Sequence, residues 1–143
     1  MAKEVSVAAI DEKIEDLVIV HNMLAKSLQK KLGLTASAVA ILELLNKDRL
    51  SLKELTERSI LDKSTLSRQI NQLVKIELVQ REIGKDKRFV KFSATEKGHH
   101  LLEEYTQEKN KKLDSVLISW TEKEKQLLLI LLGRIGRSIN QSI

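Results

Sequence analysis

The chain has 143 residues and a mass of 16.3 kDa, with 42% hydrophobic and 31% charged residues, no proline and five glycines. That is about one domain's length, able to bury ~70% of its unfolded surface without metal or disulfide, and the composition excludes a disordered or low-complexity protein. The net charge of +5 lies wholly within residues 49–97, which hold 12 Lys and Arg against 7 Asp and Glu; a localised basic face makes nucleic acid the first partner to consider, beside plain solubility.

The opening stretch, MAKEVSVAAIDEKIED, meets acidic residues too early for a secretory leader. The longest strongly apolar run, Leu127 to Leu132, is too short to span a bilayer. A soluble cytoplasmic protein with no membrane partner is expected. Cysteine is absent, so disulfides, thiolate metal sites and thiol oxidation are unavailable.

In chain order, Ile10, Ile14, Leu17, Leu24, Leu28 and Leu32 form one stripe with His21 inside it. Their spacing, about 3.5 residues, suits a long helix packed along a partner helix. His21 is either a ligand contact or proton switch, or a core or interface histidine bonded to a neighbour. Gly33 stops this helix and Thr35 caps the next, whose apolar positions run from Val39 to Leu45. Ser51 and Glu54 have capping-box spacing and begin a short helix ending near Ser59, with Leu52, Leu55 and Ile60 expected to be buried.

Asp62 is placed to cap the following helix. Its apolar face is Leu66, Ile70, Leu73 and Val74, while Ser64, Arg68, Asn71, Gln72 and Lys75 point the other way, flanked by Thr65 and Ser67. The outward face is small, hydrogen-bonding, basic and free of acids, as a helix entering a major groove requires; an ordinary solvated face is the other reading. Residues 78–93 then alternate as a β-hairpin, Val79 to Ile83 and Phe89 to Phe92, turning through Gly84-Lys85-Asp86-Lys87-Arg88. Cations at such a tip suit a phosphate or minor-groove probe, unpaired until DNA arrives. Helix, helix and basic hairpin give the winged helix-turn-helix order.

Thr95 can cap a helix reaching about Ser119, and Thr121 with Glu124 has capping-box spacing at the start of the last. Leu127 to Leu132 surround that last helix, so it needs burial on several sides. The two ends of the chain are therefore expected to pair with a second copy through Ile10, Ile14, Leu17 and His21 and through Leu128, Leu131, Leu132, Ile135 and Ile139. A monomer with a central buried helix is the competing arrangement.

The segments LTASAVAILELL (34–45) and SLKELTERSILDKSTLSRQINQLVKIELVQR (51–81), the wing's Asp86-Lys87-Arg88, and SATEKGHHLLEE (93–104) resemble the MarR family of bacterial transcriptional regulators. Nearly the whole chain is covered, and the wing's Asp-x-Arg followed by Thr-Glu-Lys-Gly is the most specific part. The resemblance implies a mainly α fold with a small β-hairpin wing: residues 1–33 a dimerisation helix, 34–94 the winged helix-turn-helix, 95–143 further dimerisation helices. It implies that Arg88 enters a minor groove, oriented by Asp86, and that Ser64, Thr65, Ser67 and Arg68 lie at the major-groove end of the recognition helix. Gln72, Lys75, Lys85 and Lys87 complete the expected DNA-binding set. Two departures stand out: Glu77 occupies a position where the family usually has glycine, and the wing is about one residue short and lacks proline.

The function expected is a homodimeric, ligand-responsive repressor of a pseudo-palindromic double-stranded DNA operator, with half-sites about one turn (~10 bp) apart. The effector is an unspecified small molecule bound between the DNA-binding and dimerisation regions, with His21, Tyr105 and Trp120 either lining that pocket or packing in the core. No cofactor or metal is expected. The alternative is a winged-helix module that docks another protein through its hairpin. An enzyme is not expected: there is no phosphate-cradling glycine loop, no metal-spaced cluster and no cysteine nucleophile, and adjacent His99 and His100 point about 100° apart on a helix.

Overall fold

The computed structural model describes residues 4–86 and 88–143. The chain is mainly helical with one small sheet: α1 (Val7–Lys31), α2 (Ala36–Lys47), β1 (Leu50–Ser51), α3 (Leu52–Arg58), α4 (Lys63–Lys75), β2 (Val79–Ile83), β3 (Val90–Ala94), α5 (Glu96–Val116) and α6 (Glu122–Ser142). Local chemistry sets these boundaries. Gly33 adopts φ +69° after α1, a conformation with little steric cost only for glycine. Thr35 accepts the Ala38 amide at 3.1 Å, and Ser51 with Glu54 and Thr121 with Glu124 form reciprocal capping boxes at the starts of α3 and α6.

The chain divides into two compact units, residues 1–109 and 110–143. In the first, Ile41 and Leu42 of α2, Leu55 of α3, Leu66 and Ile70 of α4, and Leu50 and Val79 of the sheet are fully buried. Leu28 of α1 and Leu102 and Tyr105 of α5 join the same core. The Tyr105 hydroxyl accepts a hydrogen bond from Gln29 Nε2 at 3.4 Å, so the buried amide of Gln29 is not left without a partner.

The sheet has three antiparallel strands in the order β1-β3-β2, where the sequence pattern shows only a two-stranded hairpin. Leu50 and Ser51 pair with Phe92 and Lys91; a strand of two residues is too short to register as an alternating pattern. Val79 to Ile83 pair with Ala94 to Val90. Phe89, expected within the second strand, lies outside it and is exposed.

The junction between sheet and α5 is close. Thr95 donates its amide to the Leu78 carbonyl at 3.0 Å and its hydroxyl to the Glu77 carbonyl at 2.6 Å, and accepts the Gly98 amide at 3.0 Å. At Gly98 a Cβ would overlap the Leu78 carbonyl oxygen, so α5 can lie there only because the residue is glycine. Glu77 sits at φ +66°, the one non-glycine residue with positive φ among those described.

Other expectations are corrected. Ile60 is fully exposed rather than buried, because α3 ends at Arg58 and the extended Ser59 turns the chain away from the helical face; Leu61 packs against the core instead. The fifth helix stops at Val116, a few residues before Ser119, and Val116 and Ile118 are exposed. Trp120 is likewise exposed rather than packed in a core, and His21, expected in the core or at an interface between copies, is exposed in the single chain. In α6, Leu127, Leu129, Ile130, Leu131, Leu132, Ile135 and Ile139 are exposed and no residue is buried, although its apolar sequence calls for burial on several sides.

Candidate nucleic-acid interface

The site is built on α4. Asp62 precedes it in extended backbone and accepts the Thr65 amide, the Ser64 hydroxyl and the Thr65 hydroxyl at 2.8, 2.8 and 2.9 Å. The Thr65 amide, then the two hydroxyls, hold its carboxyl well below the usual range, from 3.8 to about 2. The helix turns Leu66, Ile70 and Leu73 into the core. Ser64, Arg68, Asn71, Gln72 and Lys75 are exposed, with Thr65 and Ser67 half-buried, which is the division the spacing predicts.

At the wing, Arg88 is not left unpaired. Its Nη2 donates to Asp86 Oδ2 at 2.9 Å, its Nε to both carboxylate oxygens at 3.2 Å, and its backbone amide to Oδ1 at 3.1 Å. The Arg88 side chain foremost, then its amide, lowers the Asp86 pKa, and the same contact raises that of Arg88. Two positions of separation place the carboxylate under the guanidinium and leave the Arg88 side chain 85% exposed. Lys85 is exposed, and Lys87 lies outside the described residues. Among the described residues Arg68, Lys75 and Lys85 have no ion-pair partner.

Between α3, α4 and the sheet lies an open cleft of about 420 Å³, bounded by Ser67 and Asn71 of α4, Lys53 of α3, and Arg81 and Arg88. It brings Ser67 and Arg88, both expected site residues, to one concave surface. Lys53, Asn71 and Arg81 were not in the expected set. Arg81 is the informative one: its guanidinium stands 5.7 Å from the Phe92 ring centroid and donates to Asn71 Oδ1 at 3.0 Å, tying the wing's base to α4. A cation on the same strand run as the apolar Val79 and Ile83 was the signal for it.

A second cleft of about 640 Å³, lined by Asn22, Ala25, Lys26, Gln29, Leu34 and Thr35 among others, lies between α1 and the start of α2. Among the expected dimerisation residues, Ile14 and Leu128 are half-buried, while Ile10, Leu17, His21, Leu131, Leu132, Ile135 and Ile139 are exposed. No described helix is long and apolar enough to cross a membrane.

Residues 34–90 match the model of the MarR family. No curated protein matches the sequence significantly. Among solved structures, a MarR family protein from Bacillus stearothermophilus is similar at TM-score 0.86 and 20% identity, over 98% of this chain and 99% of that one. RV1404 from Mycobacterium tuberculosis gives 0.85 and 17%, over 96% and 97%. Wild-type MarR from E. coli, in its apo form, gives 0.72 and 20%, over 93% and 98%. At these identities the likeness is one of fold.

Proposed function

Because residues 34–90 match the model of the MarR family, we propose that the protein is a transcriptional regulator of that family that binds double-stranded DNA as a homodimer. The observation that carries the reading is the shared cleft: an acid-free polar face of α4 and a wing arginine aimed by its own carboxylate border one surface. Short side chains at the start of α4 permit close approach to base edges, and Arg68 and Arg88 supply donors for bases or for a narrow groove. The second copy is supported by α6, which buries nothing, and by the exposed Ile10, Leu17, Val18 and Met23 of α1. Two copies would present two α4 helices to successive major grooves of a pseudo-palindromic operator, which fits repression by exclusion of polymerase. The 640 Å³ cleft at α1 and α2 is the place where a small effector would act on that arrangement.

The test is equilibrium binding to a duplex selected from a random pool by the purified protein. Affinity should fall steeply with salt as counterions are released, and Arg68→Ala and Arg88→Ala should each weaken binding about 5- to 100-fold. Unchanged affinity in both variants sinks the assignment of these residues. Absence of DNA binding at low salt favours the protein-docking alternative.

A further inference from the structure

The hydrogen bonds at Asp62 fix more than a helix end. A hydroxyl has one proton to donate and two lone pairs with which to accept, whereas an ionised carboxylate can only accept. Asp62 stays ionised well below neutral pH, so the contacts from Ser64 Oγ and Thr65 Oγ1, at 2.8 and 2.9 Å, must each use the hydroxyl's only proton. Toward any third partner both side chains are acceptors. Phosphate oxygens, guanine N7 and O6, and thymine O4 are acceptors too, and so are mismatched to them; in the major groove the donors are adenine N6 and cytosine N4.

The polarity reverses further along the helix. Arginine has no acceptor, so the 3.0 Å bond from Arg81 Nη2 fixes the Asn71 carbonyl oxygen toward Arg81 and leaves the Asn71 amine for other partners. Arg68, one turn beyond Ser64, is exposed and is donor-only. Resting on the DNA-binding reading above, we propose that the face of α4 is an ordered acceptor-then-donor reader: Ser64 and Thr65 accept from an exocyclic amine of adenine or cytosine, and Arg68 donates to an acceptor-bearing base beside it. Asp62 is then a positioning residue for specificity, setting which way the hydroxyls point without touching DNA.

The experiment begins with selection of a binding site from a random duplex pool by the full-length protein. At the base pair whose preference changes in Ser64→Ala or Thr65→Ala, the amine is deleted by placing purine for adenine or pyrimidin-2-one for cytosine. Loss of that amine should weaken the wild type about fivefold and leave the affinity of a Ser64→Ala, Thr65→Ala double variant within about twofold. Asp62→Asn keeps a good helix cap but replaces one acceptor oxygen by an amine, which frees one hydroxyl proton; its selected site should shift at that pair toward guanine or thymine on the contacted strand. Circular dichroism checks that each variant is folded. If the wild type selects a site but amine deletion affects wild type and double variant alike, or Asp62→Asn selects the wild-type base, the polarity proposal is overturned and DNA binding stands. If the wild type selects no site at low salt, both fail together.

Discussion

Glu77 is the residue where the chain bears local strain. An L-residue in the left-handed region is disfavoured by roughly 1–2 kcal/mol, and here φ is +66°. The geometry is nevertheless held: Thr95 donates its hydroxyl to the Glu77 carbonyl at 2.6 Å, and Lys97 Nζ donates to the Ile76 carbonyl at 3.2 Å. Glu77→Gly should therefore stabilise the fold by about 0.5–1 kcal/mol, the relief of strain exceeding glycine's extra unfolded entropy of roughly 0.4–1 kcal/mol. Urea denaturation checks this, and an unchanged or lower midpoint would sink it. Glu77 also shows what a single sequence conveys about residues. That the position calls for glycine was legible from the resemblance; that the backbone keeps its glycine-like turn around a glutamate was not, because the holding bonds come from 18 to 21 residues away.

Among the elements, α4 was the most legible and the sheet the least. The cap, buried stripe and outward face of α4 follow from spacing alone, since each rests on contacts within one helix period. The two-residue β1 and the site role of the exposed Arg81 were missed because both depend on partners across the sheet. The cap has a pH signature. Asp62 is depressed from 3.8 to about 2 by the Thr65 amide and the two hydroxyls. Its folded pKa lies below its unfolded one, so its contribution to stability is full above about pH 4 and is lost as pH falls toward 2. The stability difference between wild type and Asp62→Asn, from thermal unfolding across pH, should be constant above pH ~4.5 and change between about 4 and 2. Glu54, Asp86 and Glu124 are also lowered, each first by its own hydrogen bond, but they titrate alike in both proteins and cancel. A flat difference down to pH ~2 would remove this role of the carboxylate.

At the scale of the molecule, the expectation of a second copy rests on the apolar residues that α1 and α6 leave exposed in the single chain. Which residues would meet across such an interface is not legible in the sequence, since the pairing lies outside a single chain. Replacing Leu132 and Ile135, exposed on α6, with glutamate should convert a dimer into monomers on sedimentation and lower the melting temperature. The wild type's melting temperature should rise with concentration and the variant's should not. Monomeric wild type at micromolar concentration would overturn the dimer.

The brevity of β1 also bears on the proposed contact with DNA. Its pairing with β3 ends at Ser51 and Lys91, the rung that also holds Glu82, so beyond it the wing is a two-stranded ribbon from Ile83 onward, ending in the Asp86–Arg88 clasp. A two-stranded ribbon is far more compliant than a three-stranded sheet. On the proposed DNA-binding reading, the wing is an arm hinged at the Ser51–Lys91 rung, and its angle would adapt to the groove while the Asp86–Arg88 pair keeps its shape. Amide exchange should be slow at Phe92 and Ala94 and fast at Gly84, Lys85, Asp86 and Arg88, with the fast set slowing when operator is bound. Equal protection along the whole arm in the free protein would mean that it is rigid.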